Sequence, residues 1–356
     1  MDINTSFCAA VDLLKQLIAC PSVSREEKNL SDFLEIYLKE RKFSPYRKGN
    51  NIWLFSPEWD DKKPVILLNS HIDTVKPVAG WTKNPFSPLE EDGKLFGLGS
   101  NDAGAPLVSL LHAFFLLTQV EQENNFIFLA SAEEEVSGPN GVESVLPDLP
   151  PIDFGLVGEP TGLQVAIAEK GLMVLEGTIY GKSGHAAREE GDNAIYKALP
   201  VIEWFRNKQF PKISPLLGPV KMSVTLIQAG TQHNVIPGEC KFTVDVRTNE
   251  CYGNEALFKE IALECGCEIQ ARSFRLNASH ILPEHPLVQR AVAFGLKLFG
   301  SPTLSDQSLM NFPSLKMGPG LSSRSHTADE FVYLSEIREA IDTYFRLLLN
   351  LKIRSK

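Results

Sequence analysis

The 356-residue chain has little of what marks several protein classes. It holds no apolar run approaching the ~20 residues of a bilayer-spanning helix, so no membrane partner is expected. It has no Lys/Arg-rich stripe interleaved with aromatic residues, and its formal net charge is −9; both argue against nucleic acid as the main partner. Its six cysteines include no CxxC pair. Cys8 and Cys20 fall in an apparent helix, Cys240 and Cys251 stand alone, and Cys265-Gly266-Cys267 lacks a second pair to complete a zinc knuckle. Reduced thiols in a cytoplasmic protein are therefore the expectation. The first residues are not basic, and Asp12, Lys15 and Gln16 interrupt the apolar stretch behind them, so no secretory signal is read there.

What the chain does have is ordinary globular composition, 43% hydrophobic and 22% charged, in a length that exceeds the usual single core. Two domains are expected. Apolar residues at Val11, Leu14, Leu17 and Ile18 predict a helix over 7–19. Ser24, with Glu27 three residues on, reads as a capping box opening a second helix towards Arg41. The apolar runs 65–68, 126–130 and 154–157 read as buried strands, and 105–118 as an apolar helix with Pro106 in its first turn. A Pro/Gly-rich connection occupies 76–99. This is an α/β layer texture. Beyond 161 the pattern alternates at Leu172, Val174, Glu176, Thr178 and Tyr180, then gives a helix at 193–205, strands at 221–225 and 241–246, and a helix at 254–265. The α/β texture returns with helices at 285–299 and 334–351. A small α+β domain, 163–272, is thus inserted into a larger one made of 1–162 and 273–356, with hinges near Gly162 and Ser273.

Four motifs follow strand-like runs or precede a helix, where α/β sheets collect ligands. His71-Ile72-Asp73 pairs an imidazole with a carboxylate two residues away, placed to hydrogen-bond the ring and fix its tautomer. Gly97-Leu98-Gly99-Ser100-Asn101-Asp102 resembles a phosphate loop but lacks the Lys-Ser/Thr ending. Glu133-Glu134-Glu135 masses three carboxylates at the end of a buried strand, better explained if a cation neutralises part of their charge. Gly158-Glu159-Pro160-Thr161 follows the next strand, and His326 lies far downstream. Imidazoles and carboxylates without cysteine suit Zn²⁺, with Mn²⁺ or Co²⁺ as alternatives.

Over essentially its whole length, and in this motif order, the sequence resembles the dinuclear-zinc peptidases and deacylases that include acetylornithine deacetylase, succinyl-diaminopimelate desuccinylase and aminoacylase. The resemblance implies a zinc-peptidase-like α/β catalytic domain, a mixed sheet flanked by helices, with the inserted α+β domain acting in lid closure and dimerisation. It implies two Zn²⁺ bridged by Asp102, one completed by His71 and Glu159, the other by Glu135 and His326. Glu134 would be the general base and Asp73 the support of His71, with no catalytic role for Glu133 and a cis peptide after Asp102. In the inserted domain, His185 of Gly184-His185-Ala186-Ala187 resembles a histidine that assists the oxyanion, often across a homodimer interface. Asn234 and Arg247 resemble lid residues that hold the substrate carboxylate, Arg being suited to bidentate recognition. Gly318 and Gly320 would offer backbone N–H groups to the same carboxylate. Within the family the resemblance leans towards acetylornithine deacetylase. That implies hydrolysis of an N-acetyl- or N-succinyl-ornithine, -citrulline or -lysine in arginine or lysine biosynthesis, with Lys170 or Arg324 as the extra cation of a succinyl-specific site. Succinyl-diaminopimelate desuccinylase, a di- or tripeptidase, and a metal- or amino-acid-binding protein without catalysis are the competing readings.

Overall fold

A computed structural model describes residues 2–353. The chain divides into two compact units: Met1–Ile167 with His280–Phe299 and Ser305–Lys356, and Ala168–Ser279 with Gly300–Leu304. The sequence texture places the change at 162 and 273; the compact units divide at Ile167 and Ser279.

The first unit is built on a mixed sheet. Its strands run in the spatial order Tyr46–Lys48, Asn51–Phe55, Asn125–Ser131, Val65–His71, Phe154–Gly158, Ser314–Met317 and Val165–Glu169. The four strands Asn125–Ser131, Val65–His71, Phe154–Gly158 and Ser314–Met317 are mutually parallel, and their neighbours on either side are antiparallel. The continuous apolar runs arise because both faces are covered. Ile66, Leu68, Phe126, Phe128, Phe154 and Leu156 pack with the helices Ile3–Ile18, Ala105–Leu117 and Leu334–Leu348. The alternate residues Val65, Leu67, Ile127, Leu129 and Val157 pack with Val142, Val145 and Met310 on the other face. Because the four central strands are parallel, their carboxyl ends share one edge of the sheet, and the chemistry-bearing loops leave from that edge.

Three local expectations are corrected. The second helix is Lys28–Glu40 with Glu27 at its N-cap and no side-chain cap, so Ser24 and Glu27 do not form a capping box. The helix expected over 285–299 is Pro286–Ala293; the chain reverses at Gly295 (φ +79) and continues as the strand Leu298–Ser301. The connection 76–99 is not wholly irregular, since Leu89–Glu91 and Lys94–Phe96 form a small antiparallel sheet with Phe331–Tyr333.

The second unit is an antiparallel sheet in the order Lys221–Ala229, Glu239–Thr248, Gly171–Tyr180, Glu268–Ala271. Met173, Leu175 and Ile179 face a core shared with Ala198, Val201 and Phe205 of the helix Ala194–Asn207 and with Leu257 and Ile261 of the helix Asn254–Glu264. Gly177 lies on this face because the Phe242 ring occupies its side-chain space; a Cβ there would stand 2.2 Å from that ring. No described helix is long and apolar enough to cross a membrane.

Candidate metal centre

His71 is the last residue of its parallel strand and is 2% exposed. Its Nδ1 lies 2.9 Å from the Asp73 backbone oxygen, against 3.5 Å from the Asp73 carboxylate. Both partners can only accept, so without metal the ring donates from Nδ1 to the Asp73 carbonyl and, as an imidazolium, from Nε2 to Asp102 Oδ1, 3.2 Å away. The hydrogen bond expected from the Asp73 carboxylate is thus made by its main chain instead. The carboxylate accepts from Ser24 Oγ (2.7 Å), Glu134 N (3.0 Å) and Glu135 N (3.1 Å). It satisfies the first N–H groups of the short 3₁₀ turn Glu134–Val136 and so fixes where those two glutamates start.

Asp102 stands between the two histidines. Oδ1 faces His71 Nε2, and Oδ2 lies 3.7 Å from His326 Nε2. His326 Nε2 is also 2.9 Å from Glu135 Oε2, and Glu134 Oε2 is 3.9 Å from His71 Nε2. His71, Glu134 and Glu159 form one set of donor atoms within 4.8 Å of each other, and His71, Asp102 and Glu135 form a second. The loop carrying Asp102 is held from behind. Buried Glu330 accepts from the N–H groups of Gly99 (3.1 Å), Asn101 (2.8 Å) and Asp102 (2.9 Å). Asn101 Nδ2 donates to Leu321 O and Ser325 Oγ, and its Oδ1 accepts from Leu321 N. These bonds tie the Asp102 loop to the loop that leads to His326. The Asp102–Ala103 peptide is cis, as the resemblance implies.

Electrostatics show what the cluster lacks on its own. Burial pushes Glu134 well above the usual carboxylate range, only partly offset by His71. Burial and the Asp102 charge push Glu159 up to about 8. Burial alone would lower His71, but the Asp102 carboxylate at Nε2, the Asp73 carboxylate 3.5 Å from Nδ1 and the Glu134 charge outweigh it and hold the imidazole well above its usual value. The hydrogen bond to Glu135 is the largest effect raising His326, to about 9. Buried carboxylates crowded on two imidazoles are costly to keep ionised unless cations compensate. Oxygen and imidazole donors at this spacing fit divalent metal, and the sets close enough to hold an ion are His71 with Glu134 and Glu159, and His71 with Asp102 and Glu135; His326 reaches the second set through Glu135, 2.9 Å away.

Sequence reasoning did not single out Glu330 or Asp306, read Ser24 as a helix cap and gave Glu133 no catalytic role. Glu330 and Ser24 organise the Asp102 and Asp73 positions. Asp306, 4% exposed, accepts from Ser131 Oγ at 2.5 Å, and burial raises it to about 6. Glu133, which takes no part in the ligand sets, uses its carboxylate to accept from Asn140 N and Nδ2 and holds the following loop. Only Glu330 carried a signal, its nearness to His326; Ser24 carried a misleading one.

The residues expected to bind substrate are placed as follows. Gly318 N–H donates to Thr161 Oγ1 at 3.0 Å, so it is not a spare donor for a carboxylate. Gly320 has φ +82, and a Cβ there would stand 2.2 Å from Asn101 Oδ1; its glycine serves the packing of the two loops. Arg324 is paired with Glu336 (2.7 and 3.1 Å), so it is not a free cation; Lys170, in the second unit, donates to Pro219 O at 2.9 Å and keeps its charge. In the second unit, His185 is exposed and its Nδ1 accepts from Ala187 N, leaving Nε2 as the outward nitrogen. Ala186 N donates to Asn234 O, making His185 and Asn234 neighbours on the small sheet of Gly184–His185 with Val235–Ile236. The Arg247 guanidinium is already engaged by both oxygens of Asp245, at 2.8 and 3.0 Å.

The same fold occurs in solved structures of low identity. Aminopeptidase PepT from Bacillus cereus superposes with a TM-score of 0.76 at 17% identity, over 95% of this chain and 97% of that one. A tripeptidase from Staphylococcus aureus gives 0.76 at 18%, over 96% of each. The YXEP protein of Bacillus subtilis, described as a dinuclear metal binding peptidase, gives 0.72 at 18%, over 97% and 98%. The model of peptidase family M20/M25/M40 matches residues 67–350, a span that runs from the strand bearing His71 past His326. The chain belongs to that peptidase family and is a metallohydrolase acting on amide bonds.

Proposed function

We propose that the protein removes an acyl group from the α-nitrogen of a small amino acid, in the manner of acetylornithine deacetylase, with two Zn²⁺ ions as its resident metals. The observation that carries the hydrolytic part is Asp102 set between His71 and His326, with Glu134 beside them, its carboxylate 3.9 Å from His71 Nε2. Asp102 would be the ligand shared by the two ions, His71 and Glu159 would complete one site, and Glu135 and His326 the other. The metals, when bound, supply Lewis-acid activation of water and of the amide carbonyl. Glu134 takes a proton from the attacking water and returns it to the departing amine as the C–N bond breaks. Asp73 acts at one remove, holding the Glu134–Glu135 turn by its N–H groups and the His71 ring by its carbonyl. His185 assists the oxyanion, and Asn234 takes part in substrate binding; Arg247 does so only after exchanging Asp245 for a substrate carboxylate.

The engagement of Arg324 by Glu336 favours an acetyl over a succinyl group, since a second carboxylate needs a cation without a partner of its own. A di- or tripeptidase is the second reading, favoured by the structural similarity to a tripeptidase. We also place a second copy of the chain on the outer edge of the second unit. The terminal strand Lys221–Ala229 exposes Leu226 and Ile227, and the helix packed beside it exposes Tyr196 and Leu199. An open, apolar sheet edge next to an apolar helix face is the kind of surface that pairs with its own copy.

The deciding experiment measures amine release by zinc-loaded protein from N-acetyl- and N-succinyl-ornithine, -citrulline and -lysine, succinyl-diaminopimelate and a set of dipeptides. Preference for one N-acetyl amino acid is expected. Turnover of dipeptides alone replaces the deacylase reading with the peptidase one. Bound metal with no turnover of any amide makes the chain a binding protein.

A further inference from the structure

The proposed reaction leaves Cys265-Gly266-Cys267 unused. Cys265 is the C-cap of the helix Asn254–Glu264, its N–H donating to Ile261 O. Gly266 follows at φ +74, the left-handed conformation that ends helices and that glycine enters without strain. The chain reverses there and enters the strand Glu268–Ala271. This reversal brings the two sulfurs to 3.8 Å, with Cys265 Sγ also 3.5 Å from Cys267 O. Cys265 is buried in the unit's core, whereas Cys267 is only partly covered and reachable from solvent. A disulfide needs sulfurs about 2.05 Å apart, so closing the pair brings them together by ~2 Å.

We propose that Cys265 and Cys267 form a modification site that closes to an intramolecular disulfide by exchange with a small-molecule disulfide of the glutathione type. Cys267 loses its proton and attacks one sulfur of the small disulfide; that S–S bond breaks and one thiolate leaves. Cys265 loses its proton and attacks the Cys267 sulfur; the mixed bond breaks and the second thiolate leaves. The two protein thiols give up two electrons to the small disulfide, which departs as two thiols carrying the two protons. Burial, with the neighbouring Cys265, pushes the Cys267 thiol up to about 12, so the thiolate is scarce near neutrality and the exchange speeds up with pH.

The test incubates the full chain with oxidised glutathione, alkylates the remaining thiols and digests with trypsin. Cleavage after Lys259 and Arg272 releases the peptide 260–272, whose cysteines are these two alone. The expected peptide is two hydrogens lighter, carries neither alkyl group nor glutathione, and regains two alkylatable thiols after reduction. Cys265→Ser is expected to stop at a glutathione adduct on Cys267. The proposal is overturned if the wild-type peptide stays doubly alkylated under conditions that modify exposed Cys8, or if a glutathione adduct on Cys267 persists unresolved in the wild type.

Discussion

Glu134 and Glu135 are chain neighbours on one short turn, and their side chains reach different partners. Glu135 meets His326, while Glu134 lies at the edge of the His71 group. Glu134→Gln keeps the shape and removes the proton acceptor, so turnover is expected to fall by about 10²–10⁴-fold with both metals retained. Metal analysis beside a rate measurement decides it; near-normal turnover sinks the role. A second residue makes a prediction of a different kind. His112 lies in the helix Ala105–Leu117, fully buried, with neither ring nitrogen hydrogen-bonded. Burial lowers its pKa to about 3, with a smaller contribution from Arg41. The unfolded chain binds the proton first, near pH 6.5, so the folded state keeps its full stability above that value and loses it progressively as pH falls towards 3. At pH 5 the loss from this group is about 2 kcal/mol. His112→Leu is expected to be more stable at pH 7 and to lose about 2 kcal/mol less than the wild type between pH 7 and 5 in urea unfolding. Equal losses in both proteins mean that His112 titrates as it does in water.

At the scale of elements, three of the four parallel strands and the motifs after them were legible because both strand faces are buried and each of those motifs follows an apolar run directly; the fourth, Ser314–Met317, was not, because Ser314 and Lys316 break its apolar run. What was not legible were polar side chains recruited by distant backbone. Ser24 and Glu27 have the hydroxyl and carboxylate of a capping box, but Ser24 donates to Asp73, and the Glu27 carboxylate accepts from Asn50 Nδ2 and from Arg25 N. The same chemistry that caps a helix served another partner, and spacing alone does not distinguish the two. The apolar period over 285–299 continued past Gly295 because Leu298 packs against the same core from a strand. The strands Leu89–Glu91 and Lys94–Phe96 are too short to show alternation. Glu330 shows how much a loop owes to such a distant group, since one carboxylate collects three N–H donors from the Asp102 loop. Glu330→Gln replaces one acceptor oxygen by an NH₂ group that cannot accept from those donors. Metal affinity is expected to fall about 10–100-fold with the fold retained. Competition with a chelator and far-UV circular dichroism test this together; unchanged affinity and turnover dispose of the positioning role.

At the scale of the molecule, each unit closes its own core, and the sheets differ in how they end. The large sheet covers both faces with helices and loops. The small sheet covers one face and leaves Lys221–Ala229 as a terminal strand with large apolar side chains outward. Edge strands in monomeric proteins are usually short, charged or covered; this one is nine residues long with Leu226 58% and Ile227 52% exposed. The helix beside it adds Tyr196 at 71% and Leu199 at 58% on a face that its own unit does not use. A surface that costs solubility is explained if another copy covers it, and isologous pairing of two such edges is self-complementary. Leu226→Glu combined with Ile227→Lys puts charge on both sides of the strand while leaving the inward residues of the core untouched. Light scattering is expected to give the mass of two chains for the wild type and of one chain for the double variant, with unchanged circular dichroism. A wild type that scatters as a single chain at micromolar concentration removes the second copy from this edge.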